Sequence, residues 1–342
     1  MSTKVFIIAE AGVNHNGKLD VALKLVDIAA AAGADAVKFQ TFKAEQVVTE
    51  KGEMALYQKN NLRKVMSQRE MLRQFELREE FYDPIIKHCK KKNILFLSTP
   101  HGGKESVDFL ESLHIPLYKV GSGDLTNYIL LRRIAETKKP IILSSGMATL
   151  KEVQDAVLFL NKKGSGPVSV LHCTSNYPCP PEEINLSSMI TLMNELDVPV
   201  GYSDHSGGIQ AAIMAVTLGA SIYECHFTLD KKFSGPDHKA SADPKELKDR
   251  IDVIRKVRII MGSARKRPTK NEILSMRGIV RKSIVASKDM PKGHTIREDD
   301  LEAKRPGDGL SPIHYRTLIG RKISFSLKKD DQILLRYLEK KQ

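Results

Sequence analysis

Two short runs each deliver a histidine: Pro199-Val-Gly-Tyr-Ser-Asp-His205 and Ser221-Ile-Tyr-Glu-Cys-His226-Phe-Thr. Both read as a β-strand finishing in His, with a helix-like run from Gly208 to Ala220 between them. Imidazoles at the same ends of successive parallel strands can face one cavity, where they hold a divalent metal or act as a proton-transfer pair. Lysine and serine recur in comparable places, at Lys38, Lys119, Ser122, Ser144, Ser145 and Ser203. Ammonium groups and small hydroxyls together make a site for phosphate, or for phosphate with carboxylate. Strand alternation puts Lys38 and Gln40 on one face, opposite Phe39. An inward Lys is costly unless an anion meets it, so Lys38 needs a bound anion or a carboxylate such as Glu10 or Asp124. Two His with nearby carboxylates fit Mn²⁺ or Mg²⁺. A metal beside an anion points to polarisation of a carbonyl for carbon–carbon bond formation.

The elements that must position these residues alternate regularly. Strand-like runs are Val5–Glu10, Ala36–Thr41, Ile94–Pro100, Pro116–Ser122, Pro140–Gly146, Val168–Ser175, Pro199–His205 and Ile222–Thr228. Helix-like segments follow them: Leu19–Ala32, Glu79–Lys92, Lys104–Leu113, Tyr128–Lys138, Leu150–Lys163, Leu186–Glu195, Gly208–Leu218 and Pro244–Met261. In the first, Leu19, Leu23, Val26 and Ala30 step at helical spacing. Eight strand–helix units in about 250 residues predict an α/β fold, a (β/α)8 TIM barrel over 1–264. A doubly wound sheet is the alternative, but no Gly-rich dinucleotide fingerprint follows the first strand. Every strand ends in polar residues, and those ends build the active face of such a barrel. The long polar segment Thr49–Leu77 is an insertion on that face, readable as a lid or as a partly ordered surface loop. After a linker over 265–280, with a short helix around Glu272–Arg277, short strands and Gly/Pro turns predict a small β-rich domain over 281–342.

Composition narrows the classes. The chain has 342 residues, 41% hydrophobic and 28% charged, ample for a packed core. No run of about 18 apolar residues is present, so no transmembrane helix is expected, and the N-terminus enters a strand without a secretory signal. Cys89, Cys173, Cys179 and Cys225 form no C-x-x-C pair. A disulfide framework or zinc knuckle is therefore not expected, and a reducing cytoplasm fits best. The net charge of +13 is uneven: from Ser263 onward 20 Lys and Arg face 10 Asp and Glu. A basic segment can bind nucleic acid, lie over an anionic substrate, or be a solvated face. There is no aromatic-rich basic strand and no Trp, so nucleic acid is not expected as a partner.

Several strings resemble the sialic acid (N-acetylneuraminate) synthase family, which includes legionaminic and pseudaminic acid synthases. They are Ala9-Glu-Ala-Gly-Val-Asn-His-Asn-Gly17, Val37-Lys-Phe-Gln-Thr41, Ser98-Thr-Pro100, Tyr118-Lys-Val-Gly-Ser-Gly123, Leu143-Ser-Ser-Gly-Met147, His172-Cys-Thr174, Gly201-Tyr-Ser-Asp-His205, His226-Phe-Thr228, Gly235-Pro-Asp-His-Lys-Ala-Ser241 and Lys304-Arg-Pro-Gly-Asp-Gly309. Their order runs almost end to end. The resemblance implies a barrel followed by an antifreeze-like (SAF) domain. It implies condensation of phosphoenolpyruvate with an open-chain N-acyl aminosugar, releasing phosphate. Lys38, Thr99, Lys119, Ser122, Ser145 and Ser203 then resemble the phosphoenolpyruvate cradle, and His205 and His226 the ligands of Mn²⁺ or Mg²⁺. Gln40, Tyr177 and Asp237 resemble sugar-facing positions. Glu10, Lys119 and Asp124 are the expected catalytic residues, although some members carry Glu where this chain has Asp124. Arg305 resembles the residue that reaches a partner's active site, which implies a domain-swapped homodimer.

The acceptor expected first is N-acetylmannosamine, giving N-acetylneuraminate. The alternative is a diacetamido-trideoxy hexose, giving legionaminic or pseudaminic acid. A seven- or eight-carbon keto-acid synthase acting on a sugar phosphate is not expected to carry the C-terminal module. A carbohydrate- or ice-binding protein is the reading from another class. An ice-binding face is flat and uncharged, whereas this segment is basic.

Overall fold

The structure, a computed structural model, describes residues 4–62 and 66–339. The chain divides into two compact units at Gly262/Ser263, two residues before the expected boundary.

The first unit contains eight parallel strands: β1 Phe6–Gly12, β2 Ala36–Thr41, β3 Leu95–Pro100, β4 Tyr118–Val120, β5 Ile141–Ser144, β6 Val168–His172, β7 Val200–Asp204 and β8 Ile222–His226. Their order is β3-β2-β1-β8-β7-β6-β5-β4, and β3 and β4 at its ends lie side by side, so the ring is near-closed as a TIM-like barrel. Eight main helices follow them: α1 Leu19–Ala32, α2 Glu79–Lys91, α3 Gly103–Ser112, α4 Tyr128–Glu136, α5 Leu150–Lys162, α6 Ser188–Glu195, α7 Gln210–Leu218 and α8 Pro244–Met261. Local chemistry fixes several of their ends. Gly33 closes α1 in the left-handed region at φ 90°, and Thr149 with Glu152 and Asp243 with Glu246 form capping boxes at α5 and α8.

The strands are apolar on both faces because both are covered. Outward residues such as Ile7, Val37, Phe39, Val120 and Leu143 pack against the helices in the main core. Inward residues alternate with them. Ile8, Ala36, Leu97, Ile142, Leu171 and Ile222 fill the lower barrel as a separate apolar cluster. Gly201 belongs to this layer: a Cβ there would lie 2.7 Å from Leu171 Cδ2 and 2.5 Å from Ile222 O, so its neighbours occupy the space a side chain would need.

The segment Thr49–Leu77 is an ordered cover among its described residues. It carries short helices at Leu56–Leu62 and Gln68–Gln74. Met54, Met71 and Phe75 pack with Val13 and Phe42. Asn61 Nδ2 donates to Pro236 O at 2.7 Å. Residues 63–65 of that expectation lie outside the described residues.

In the second unit, Glu272–Met276 is a π-helical turn continuing into helix Arg277–Val280, close to the expected short helix. Two antiparallel strands follow, β9 Ser283–Ala286 and β10 Leu301–Lys304, with bridges such as Met290–Leu327 and Ile323–Leu338. Ile284, Met290, Ile296, Leu318, Ile323 and Ile333 form its own core. Among the described residues no helix is long and apolar enough to cross a membrane.

Candidate active site

One alternation beyond the apolar layer, the inward positions become polar. Glu10 follows Ile8, Lys38 follows Ala36, Thr99 follows Leu97, Ser144 follows Ile142, Ser203 follows Gly201, and Glu224 follows Ile222. They surround a cavity of about 430 Å³ that also meets Gln40, Lys119, Ser122, Tyr177, His205 and His226. Ala55, Gln58 and Gln68 of the covering segment line it as well.

Four buried charges form its floor, each at most 4% exposed. Lys38 Nζ pairs with Glu10 and lies 3.5 Å from Glu224 Oε1, and it donates to Thr99 Oγ1 at 3.0 Å. Lys119 Nζ lies 3.2 Å from Glu224 Oε2 and donates to Ser144 Oγ at 2.7 Å. Ser203 Oγ donates to Glu224 Oε2 at 2.8 Å. Burial alone would push the Glu224 carboxyl up, but Lys119 and Lys38 outweigh it and pull it down to about 2. Glu10 is pushed up by burial, against the opposing pull of Lys38. Burial opposes the Lys38 charge, yet Glu10 and Glu224 raise its pKa, whereas burial lowers that of Lys119. Lys38 thus takes the Glu10 partner anticipated from sequence. Lys119 takes Glu224.

The two histidines meet across the rim, ring centroids 5.8 Å apart, with Tyr177 4.2 Å from the His205 ring and 5.7 Å from that of His226. His205 Nδ1 donates to Thr174 O at 2.7 Å, which leaves Nε2 as the nitrogen facing Tyr177 Oη at 3.2 Å and Ser203 Oγ at 3.4 Å. His226 Nδ1 is buried with no hydrogen-bond partner. Burial lowers the pKa of His205, and burial with the charge of His205 takes His226 down to about 3. Both shifts favour the neutral imidazole, the form that ligates metal. Among the described residues no group of three or more His, Cys, Asp or Glu is gathered to cage an ion. The nitrogens of His205 and His226 are the ones on this rim that could hold a divalent ion.

Three expected positions stand outside the lining of this cavity. Ser145 lies past the end of β5, its Oγ donating to Leu171 O at 2.9 Å, and Ser144 is the hydroxyl that lines the cavity. Asp124 does not line the cavity, because its Oδ2 accepts from His101 Nδ1 at 3.1 Å and its Oδ1 from Asn127 at 3.0 Å. Asp237 also stands off the lining, although burial and the charge of Glu10 push its carboxyl up to about 7. Gln40 is in place, donating to Glu10 Oε1 at 3.4 Å. Arg305 lies in the second unit, exposed, its Nε donating to Val280 O at 3.1 Å. Among the titratable cavity residues, Glu224 and His101 escape the sequence reading. Alternation back from His226 reaches Glu224 directly. His101 carries no comparable signal, because it sits on a loop.

The chain matches the NeuB family over residues 25–266 and an SAF domain over residues 281–336. It belongs to the NeuB family. Family membership makes it a phosphoenolpyruvate-dependent nonulosonic acid synthase. It is 46% identical to N,N'-diacetyllegionaminic acid synthase of Campylobacter jejuni over 96% of this chain and 99% of that protein. It is 43% identical to the enzyme of the same name from Legionella pneumophila, over 99% and 96%. The crystal structure of N-acetylneuraminic acid synthetase from Leptospira borgpetersenii in complex with citrate superposes with a TM-score of 0.71 at 36% identity, covering 79% of this chain and 90% of that one. The barrel-plus-SAF architecture of this synthase agrees with that expected from the sequence.

Proposed function

We propose that this synthase condenses phosphoenolpyruvate with the open-chain aldehyde of a diacetamido-trideoxy hexose, making N,N'-diacetyllegionaminic acid and releasing phosphate. The observation that carries the acceptor is the likeness to two legionaminic acid synthases, 46% and 43% over almost the whole chain, against 36% for the N-acetylneuraminic acid synthetase structure. N-acetylmannosamine, expected first from the sequence, becomes the second acceptor.

The geometry supports this chemistry as follows. Lys38 and Lys119 present two ammonium groups to an incoming polyanion, with Thr99, Ser122, Ser144 and Ser203 as hydroxyl partners. Glu10 and Glu224 hold both ammonium groups in place before substrate arrives. Stabilisation by such pre-set groups requires no reorganisation during reaction and is usually the largest catalytic contribution. Gln40 and Tyr177 face the sugar. C3 of phosphoenolpyruvate attacks the aldehyde carbon, water adds at C2, and the C2–O bond to phosphate then breaks. A Mn²⁺ or Mg²⁺ ion held by His205 and His226 would supply polarisation of the aldehyde oxygen.

The working unit is proposed to be a domain-swapped homodimer in which the exposed Arg305 reaches a partner's site. Residence in the cytoplasm is proposed on four buried, free cysteines, which suit a reducing compartment.

The test is phosphate release from phosphoenolpyruvate against a diacetamido-trideoxy hexose, N-acetylmannosamine and its 6-phosphate, with and without chelator. The diacetamido sugar is expected to give the highest kcat/KM. A preference for N-acetylmannosamine assigns the chain to sialic acid synthesis instead. Undiminished turnover of His205→Ala and His226→Ala under chelation removes the metal.

A further inference from the structure

Resting on the reaction proposed above, we propose that His101 is a catalytic proton carrier of this site, with Asp124 as its positioning residue.

The ring stands where a catalytic imidazole is needed. His101 follows β3, one residue after Pro100, and lines the same cavity as Lys119 and Ser122. Its Nδ1 donates to Asp124 Oδ2 at 3.1 Å, and Asn127 Nδ2 fixes the other carboxylate oxygen at 3.0 Å. Burial works against ionisation of Asp124, but the hydrogen bond and charge of His101 hold its carboxyl below the usual range. A carboxylate on Nδ1 sets the tautomer and leaves Nε2 for chemistry. Nε2 makes no hydrogen bond among the described residues.

A second observation shows room made for this edge of the ring. A Cβ added to Gly121 would lie 2.9 Å from His101 Cε1 and 3.6 Å from Nε2. Gly121 has an ordinary negative φ of −71°, so the position needs glycine for the close approach and not for its backbone. Gly121 is two residues past Lys119 and lines the cavity with it. The Cε1–Nε2 edge therefore rests on the cavity wall beside the expected phosphate. Asp124, withdrawn from the cavity, acts through this ring.

The step balances as follows. Oxygen of water bonds to C2 while Nε2 takes one of its protons. The C2–O bond then breaks, its electron pair leaves with phosphate, and the imidazolium returns that proton to the departing phosphate. The second water proton leaves the C2 hydroxyl as the ketone forms and ends on the hydroxyl created from the aldehyde oxygen. Nothing is oxidised or reduced.

The test uses the full chain in the phosphate-release assay. His101→Phe keeps a ring but no nitrogen. Its kcat is expected to fall about 100-fold or more, the scale of general acid–base catalysis, with the KM for phosphoenolpyruvate and the Tm little changed. His101→Ala should lose as much and recover in part when free imidazole is added. Asp124→Asn should lose less, and the Asp124→Asn/His101→Phe double variant no more than His101→Phe alone. A His101→Phe kcat within about threefold of wild type, or a His101→Ala loss that imidazole leaves unrestored, overturns the proposal. Wild-type silence with every acceptor overturns the functional reading and the proposal together. Wild-type turnover with an undiminished His101 variant overturns the proposal alone.

Discussion

The inner face of the barrel holds two layers on the same strands, two residues apart. The lower layer, with Ile8, Ala36, Leu97, Ile142 and Ile222, is apolar and closed. The upper layer replaces these with Glu10, Lys38, Thr99, Ser144 and Glu224. Both are buried to a similar degree, so burial does not distinguish them. What differs is the reason each is stable. The lower layer gains from apolar surface removed from water. The upper layer carries desolvated charges that are tolerated because two ammonium groups meet two carboxylates, an arrangement that contributes little net stability. On the proposed function, it is held for what it does to an anion arriving from the cavity.

The largest expected separation of the layers comes from Lys119→Met. Removing an ammonium group aimed at developing phosphate charge should cut kcat/KM by about 10³-fold, since single pre-set donors are worth 10²–10³ in acyl-transfer sites and this group carries full charge. The assay is phosphate release at saturating sugar. Retention of a tenth or more of the wild-type value would place the phosphate elsewhere.

Leu97→Ala tests the lower layer by the opposite signature. Leu97 is fully buried and inward, so truncation should destabilise the fold by about 2–5 kcal/mol. At a temperature where the variant stays folded, kcat should remain within about twofold of wild type, because no polar partner is lost. Urea unfolding and steady-state kinetics on one preparation read both. A large kcat loss without a stability loss would reverse the roles of the layers.

Of the two layers, only the upper one should contribute to the acid limb of stability. Glu224 has a folded pKa of about 2, below its ordinary 4.5. A depressed carboxylate contributes stability above the unfolded value that is lost as pH falls through the folded one, here between about 4.5 and 2. Glu10, pushed the other way, offsets part of it: its contribution is present at low pH and fades as pH rises. Glu224→Gln should therefore flatten the fall in urea midpoint below pH 4.5, while Leu97→Ala should lower the whole curve in parallel. Equal slopes in wild type and Glu224→Gln would show that the acid limb arises elsewhere.

The layers were unequally legible in the sequence. Helices α1 and α8 fall on their expected bounds because Gly33 and the Asp243-Pro244 start are local signals. The strands end earlier than their polar tails suggest: β4 stops at Val120, where Ser122–Asp124 turns as a 3-10 helix. Ser145 falls past the last ladder pair of β5, where alternation no longer sets the facing of a side chain. Lys38, Lys119, Ser203 and His226 are readable because each sits in a strand at an inward position, and His205 because it comes one residue past the end of β7, two after the inward Ser203. Glu224 obeys the same rule, two residues before His226. The His101–Asp124 pair obeys none, because it spans two loops brought together only when β3 and β4 lie side by side.

The smallest expected effect lies above both layers, in the covering segment. Ser67 caps the helix Gln68–Gln74: its Oγ accepts from Glu70 N at 3.2 Å while Glu70 returns to Ser67 N at 2.8 Å. Gln68, the next residue, lines the cavity. Ser67→Ala should cost about 1 kcal/mol, the usual worth of an N-cap. Segment 49–77 packs chiefly through its own apolar cluster with Val13 and Phe42, so the loss should fall on local order more than on global unfolding. A cover that shapes the sugar pocket would then show a several-fold rise in sugar KM, with kcat and the KM for phosphoenolpyruvate nearly unchanged. A Tm drop with no change in sugar KM would make the segment a brace for the barrel rim, and the sugar pocket would belong to the barrel loops alone.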